Sequence, residues 1–171
     1  MLDREELENH LGLTTSALAP SAEPSPPERQ RVFIFCSGES PVVEQVEATL
    51  ALEEGVVVEG VGSGALPSTM EMRLALRKCG AGVVIVTADD YRKDERGDCL
   101  LDERVTMVIG AASAFYGDRV ALLWEKGLPA PSNLINLRRC EIEERGLSWE
   151  AGVQLLQAFK EWKSLDLSPG C

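Results

Sequence analysis

Only a few residues in this chain are of a type and spacing that does chemistry. Asp89-Asp90 follows directly on the apolar run Val83-Val84-Ile85-Val86-Thr87, where a receiver domain would carry its phosphoacceptor. That reaction also needs an acidic pair after the first strand and a lysine after a later one. Here the first strand is followed by Glu39 alone, so the pair does not read as a phosphoacceptor. Cys36 closes the earlier run Val32-Phe33-Ile34-Phe35, at a strand end where a thiol could react. A thiol or hydroxyl nucleophile needs a base beside it, and the single histidine, His10, lies in the N-terminal stretch. Cys/His and Ser/His catalysis therefore have no support. Gly62-Ser63-Gly64 is too short for a phosphate fingerprint but suits a loop flanking a site. Ser68 and Glu71 stand in the spacing of a capping box, which accounts for both without a ligand.

Composition narrows the partners. Seventeen Lys and Arg against 28 Asp and Glu leave a net charge of −11, with no basic run, which repels phosphodiester backbones and excludes nucleic acid as the expected partner. A small anionic nucleotide stays open, because backbone N–H groups at helix N-termini bind phosphate locally. The five cysteines (Cys36, Cys79, Cys99, Cys140, Cys171) are odd in number and form no CxxC pair, so neither a disulfide framework nor a zinc site is expected. The N-terminus, Met-Leu-Asp-Arg-Glu-Glu, lacks the basic and apolar regions of a signal peptide, and no apolar run approaches membrane-spanning length. A cytoplasmic protein with no membrane partner is expected.

The elements that must position these residues can be read along the chain. Residues 1–30 comprise a short helix over 3–12, with Leu2, Leu7 and Leu11 on one side, and a Pro/Ser-rich tether, Thr14–Gln30. From residue 31 the pattern is βαβαβαβ, giving one domain over 31–164 and a tail over 165–171. Val32–Phe35 reads as a strand buried on both faces. Ser40-Pro41 starts a helix that buries Val42, Val46 and Leu50, exposes Glu44, Glu47, Glu53 and Glu54, and stops at Gly55. Val56–Val58 is the second strand, and Ser68 opens a helix ending near Gly80. Gly82–Thr87 and Arg119–Leu123 are the third and fourth strands, with a weaker one near Leu134–Leu137. Between the third and fourth, Ala88–Asp102 reads as a long loop without structure of its own, and Glu103–Tyr116 as a helix capped by Asp102. Along that helix Val105, Val108, Ile109 and Ala112 recur at helical period. Ser148 caps a last helix with Val153, Leu156, Phe159 and Trp162 inward.

Strands alternating with helices predict an α/β three-layer sandwich around a mostly parallel five-stranded sheet. In such sheets ligands bind outside the carboxyl ends of the strands. The loops Cys36–Ser40, Glu59–Pro67 and Ala88–Asp102 leave those ends. Two helices start there, and their unpaired N–H groups are expected to face the cleft.

Five stretches occur in order that together resemble a known family. They are Val32-Phe33-Ile34-Phe35-Cys36-Ser37-Gly38, the Ser68-x-x-Glu71 helix start, Val83-Val84-Ile85-Val86-Thr87-Ala88-Asp89-Asp90, Gly117-Asp118-Arg119-Val120, and Leu128-Pro129-Ala130-Pro131-Ser132-Asn133-Leu134. The ordered set, over residues 31–163, resembles the prokaryotic TIR-like domains described as predicted nucleotide-binding proteins, effectors of antiphage defence. The resemblance implies a flavodoxin-like TIR fold, homo-oligomeric assembly or pairing with another TIR-type partner, a site for NAD or an ADP-ribose-like nucleotide, no covalently bound cofactor, and in active members cleavage of the nicotinamide–ribose bond. That cleavage uses a glutamate whose carboxylate stabilises an oxocarbenium-like transition state.

Aligned on Val105, Gly110 and Gly117-Asp118-Arg119-Val120, the family's glutamate falls on Val108 and its asparagine on Arg104. The family's histidine-rich first loop is replaced by Cys36-Ser37-Gly38-Glu39. Glu103 is the only nearby substitute carboxylate, but five residues earlier it points roughly 140° away. The expectation is a nucleotide-binding or assembly module without NAD-cleaving activity. The alternatives are an NAD glycohydrolase using a displaced carboxylate and a ligand-free protein-interaction domain. Candidate nucleotide-contacting residues are Cys36, Ser37, Gly38, Glu39, Gly62, Ser63, Gly64, Ser68 and Glu71, and no metal site is expected.

Overall fold

The computed structural model describes residues 30–53, 56–61, 68–134, 136–144 and 146–166. The expected N-terminal helix, nearly all of the tether, Glu54, Gly55, Gly62-Ser63-Gly64 and residues 167–171 lie outside the described residues.

Strand β1 spans Gln30–Cys36, helix α1 Pro41–Leu50, β2 Val56–Val61, α2 Thr69–Arg77 and β3 Ala81–Val86. After them come β4 Tyr91–Lys93, β5 Cys99–Leu101, α3 Glu103–Tyr116, β6 Val120–Glu125, β7 Arg138–Ile142 and α4 Trp149–Asp166. Five strands form one sheet in the order β2-β1-β3-β6-β7, and every neighbouring pair is parallel. The α/β sandwich expected from the alternation is the one present. Its apolar strands are buried on both faces, as parallel strands under two helical layers must be. All six residues of β3 are buried.

Side-chain alternation along the strands divides the core in two. On one face Val32, Ile34, Val83, Ile85, Ala121 and Leu123 pack under α1 and α4. On the other, Phe33, Phe35, Val84, Val86, Leu122 and Trp124 pack under α2 and α3. Helix α1 buries Val42, Val46 and Leu50 as its spacing predicts, and Ser40 caps it with Pro41 in the first turn. The expected exposed Glu53 is instead half-buried, 3.8 Å from Lys160 Nζ and 3.4 Å from Lys163 Nζ, joining α1 to α4.

Four further expectations are corrected. Ala88–Asp102 is not structureless: a short 3-10 turn at Ala88–Asp90 leads into an antiparallel hairpin, with Tyr91 opposite Leu101 and Lys93 opposite Cys99. Its strands are three residues each, too short to register as alternation. The weak strand near Leu134–Leu137 is displaced to Arg138–Ile142, because Leu134 closes a 3-10 turn. There only Cys140 and Ile142 point into the core, as an edge strand allows. In α4 the inward stripe is Ala151, Leu155, Ala158, Phe159 and Trp162, while Val153 and Leu156 are only half-buried. Gln30, expected in the tether, pairs with Val56 as the first residue of β1.

Candidate functional site

The order β2-β1-β3-β6-β7 places its reversal between β1 and β3, where adjacent crossovers leave on opposite faces. Loop residues at the carboxyl ends of β1 and β3 meet there. Ser37 Oγ donates a hydrogen bond to Asp90 Oδ1 across 53 residues of sequence. The other oxygen of Asp90 accepts from Thr87 N at 2.7 Å and Thr87 Oγ1 at 3.3 Å. Asp90 is the one buried carboxylate among the described residues, 2% exposed, and three donors converge on it. It ties the loop after β1 to the turn after β3 and caps its own turn, an assignment that its place after an apolar strand does not reveal.

The next strand end is tied in the same way. Ala88 N donates to Glu125 Oε2 at 2.8 Å, so the carboxyl ends of β3 and β6 are held through a second carboxylate. Glu39 and Asp89 are exposed on the same rim. The Cys36 thiol is pushed up by burial first, and by Asp90 and Asp89 as well, while a backbone hydrogen bond from Gly38 opposes them. It therefore stays protonated, and a protonated buried thiol is a poor nucleophile.

The helix starts do not offer the donors expected of them. At α1 the first helical residue is Pro41, which has no N–H. Val42 N donates to Ser40 Oγ at 3.3 Å and Val43 N to the Ser40 carbonyl at 3.1 Å, so the first turn is satisfied by its own cap. At α2 the capping box is complete: Glu71 N reaches Ser68 Oγ at 3.3 Å and Ser68 N reaches Glu71 Oε2 at 2.7 Å. Those bonds from Ser68 hold the Glu71 carboxyl below its ordinary value, keeping a negative charge at the helix end.

Cys36, Ser37, Gly38 and Glu39 thus share the loop beyond β1, and Ser37 meets the turn after β3. Ser68 and Glu71 occupy the start of α2, the helix that follows β2 on the same rim. Gly62, Ser63 and Gly64 lie outside the described residues. Val108 is fully buried among the α3 contacts to the sheet, beside Val105, Ile109 and Ala112. Glu103 is exposed in the first turn of α3, where Asp102 Oδ1 accepts from Arg104 N at 2.9 Å. Among the described residues no cluster of His, Cys, Asp and Glu could hold a metal ion, and no helix is long and apolar enough to cross a membrane.

A second concavity was not legible in the sequence. Beside β6 and β7, Ala130, Pro131, Ser132, Leu134 and Leu137 line a cavity of about 380 Å³. Trp124 and Leu122 floor it, with Arg139 beside them. The Trp124 indole N–H is buried and makes no hydrogen bond among the described residues. The nearby Tyr91 phenol meets the indole ring edge-on at 6.5 Å between centroids and donates its own proton to the Pro129 carbonyl.

This strand order, with helices on both faces, is the flavodoxin-like doubly wound class of α/β fold. No family model matches the chain, and no curated protein matches it. Among solved structures it is similar to a diflavin flavoprotein A3 from Nostoc sp., at 16% identity, over 80% of this chain and 96% of that one, with a TM-score of 0.44.

Proposed function

We propose that this chain is a TIR-like module without NAD-cleaving activity, working by association with other copies in the cytoplasm. The observation that carries the reading is Val108, wholly buried hydrocarbon where the resemblance puts the catalytic glutamate. Losing a principal transition-state group typically removes several orders of magnitude in rate. Glu103 is no substitute, since it is exposed at the helix start and Val108 faces the sheet. Between a nucleotide-binding and a ligand-free mode, the rim favours the second. Asp90, Glu125, Glu71 and Glu39 carry like charge there, and the first turn of α1 is self-satisfied. Association has material to work with in Met70 and Leu74 of α2 and Met107 and Phe115 of α3, all more than 40% exposed in one helical layer.

The test is twofold. Purified protein incubated with NAD should release nicotinamide no faster than buffer, and light scattering should report a homodimer or larger species. Release that disappears in Glu103→Gln would promote the glycohydrolase reading. A strict monomer at high concentration, with and without nucleotide, would remove the assembly reading. Titration with NAD, ADP-ribose or ATP that shifts the loops at Ser37–Ser40 and Ser68 would restore the nucleotide-binding mode.

A further inference from the structure

We infer that the cavity beyond β6 and β7 is a binding site for a small organic monoanion with an apolar body, such as an aryl or alkyl carboxylate. The inference is independent of the TIR-like reading. The cavity measures about 380 Å³, within the range of small-molecule pockets. Apolar side chains form part of its wall, Leu122 and Trp124 from β6 and Ala130, Pro131, Leu134 and Leu137 from the covering residues, with Ser132 and Arg139 as the polar side chains beside them. The ionisable side chain lining it is Arg139, which stands beside Leu122 in the sheet register and so shares its face.

Arg139 is exposed and makes no ion pair among the described residues, although acidic residues outnumber basic ones by 28 to 17 in this chain. Arg92, Arg104 and Arg138, by contrast, each have a carboxylate partner. A guanidinium lining a cavity with apolar side chains on its other walls presents a fork matched to a carboxylate. The indole of Trp124 forms part of the cavity wall, so its N–H, which is buried and makes no hydrogen bond among the described residues, reports on occupancy of the cavity. A single cation beside the apolar side chains of Leu122, Trp124, Leu134 and Leu137 fits one negative charge carried on an apolar body. A di- or triphosphate would bring several charges to one guanidinium in a strongly acidic protein. The class of ligand follows from that count.

The full-length protein, labelled with ¹⁵N, should be titrated with phenylacetate and, separately, with its uncharged analogue phenylacetamide. The three tryptophans give three indole resonances, and Trp124→Phe identifies the one from this cavity. Phenylacetate should shift the Trp124 resonance saturably at millimolar concentration. Phenylacetamide should bind at least tenfold more weakly. Arg139→Gln should weaken phenylacetate to the level of the amide, whereas Arg139→Lys should retain part of the preference. Arg139 is on the surface, so its replacements should keep the wild-type spectrum elsewhere. Equal binding of the acid and the amide, unchanged binding in Arg139→Gln, or no shift of the Trp124 resonance would each overturn the assignment.

Discussion

Ser37 donates its hydroxyl proton to the buried carboxylate of Asp90, joining the loop after β1 to the turn after β3 across the switch point of the sheet. Because Asp90 also accepts from the backbone and hydroxyl of Thr87, removing it strands donors on two segments at once. Asp90→Ala should lower stability by about 2–3 kcal/mol, and Ser37→Ala by about 1 kcal/mol, in urea unfolding. Asp90→Asn should recover only part of the loss. Its carbonyl oxygen can accept from one side, but its amide then faces a donor on the other. Equal, small losses for all three would mean that this contact does not hold the two loops together.

Val108 allows a direct separation of chemistry from packing. Val108→Ala should cost about 1–3 kcal/mol, the range for trimming a fully buried aliphatic side chain. Val108→Glu, which supplies the carboxylate that the resemblance implies, should be far more disruptive, because the site around it is hydrocarbon. Nicotinamide release should stay at background and the midpoint of thermal unfolding should fall steeply. A Val108→Glu protein with wild-type stability would show that the position reaches a cleft.

Much of this architecture is legible in residue spacing, and the exceptions have physical causes. The first strand, the Ser40-Pro41 and Ser68-Glu71 helix starts, and the Val105–Ala112 stripe follow from local rules, since apolar period and capping act within a few residues. The β4–β5 hairpin escapes because three-residue strands carry too little pattern. Strand β7 escapes because it is an edge, with arginines at Arg138 and Arg139 and only two inward residues. In α4 the alternatives Leu155 and Leu156 are adjacent, and tertiary packing decides which one turns inward. Candidate site residues are harder to judge than strands. Whether a helix N-terminus is open to phosphate depends on where Val42 N and Val43 N go, and Ser40 takes both. The pairing of Ser37 with Asp90 and the Trp124–Arg139 cavity join segments distant in sequence, so nothing local announces them.

Gly82 and Tyr116 form a tight pair that a double-mutant cycle can measure. A Cβ added at Gly82 would lie 3.1 Å from Cδ2 and Cε2 of the Tyr116 ring. The ring cannot easily retreat, because its hydroxyl donates to the Leu76 carbonyl at 2.8 Å. Gly82→Ala should therefore cost about 1–3 kcal/mol. In a Tyr116→Phe background the tether is gone, and the same substitution should cost less by at least about 0.5 kcal/mol. Strict additivity of the two changes would show that the ring is not held by its hydroxyl.

Tyr91 should make stability fall in alkali. Its phenol is pushed up to about 12, by burial first and by the Asp90 charge second, with the Trp124 indole opposing them. A folded value raised above the ordinary value of 10.0 means that folding favours the protonated form. The associated stability is complete below pH 10.0 and is lost as pH climbs towards about 12. The structure supplies the reason, since the phenol proton is the one donated to the Pro129 carbonyl, and a phenolate has none to give. Tyr91→Phe should thus be less stable than wild type near neutrality, by about 1 kcal/mol. Tyr116, Cys36 and Cys140 are also raised by burial and will destabilise both proteins in alkali, so the informative quantity is the difference between the two. That difference, from urea titrations at successive pH values, should shrink through the window and vanish above it. A gap that stays constant from neutral to strongly alkaline pH would mean that the Tyr91 proton does not couple to folding.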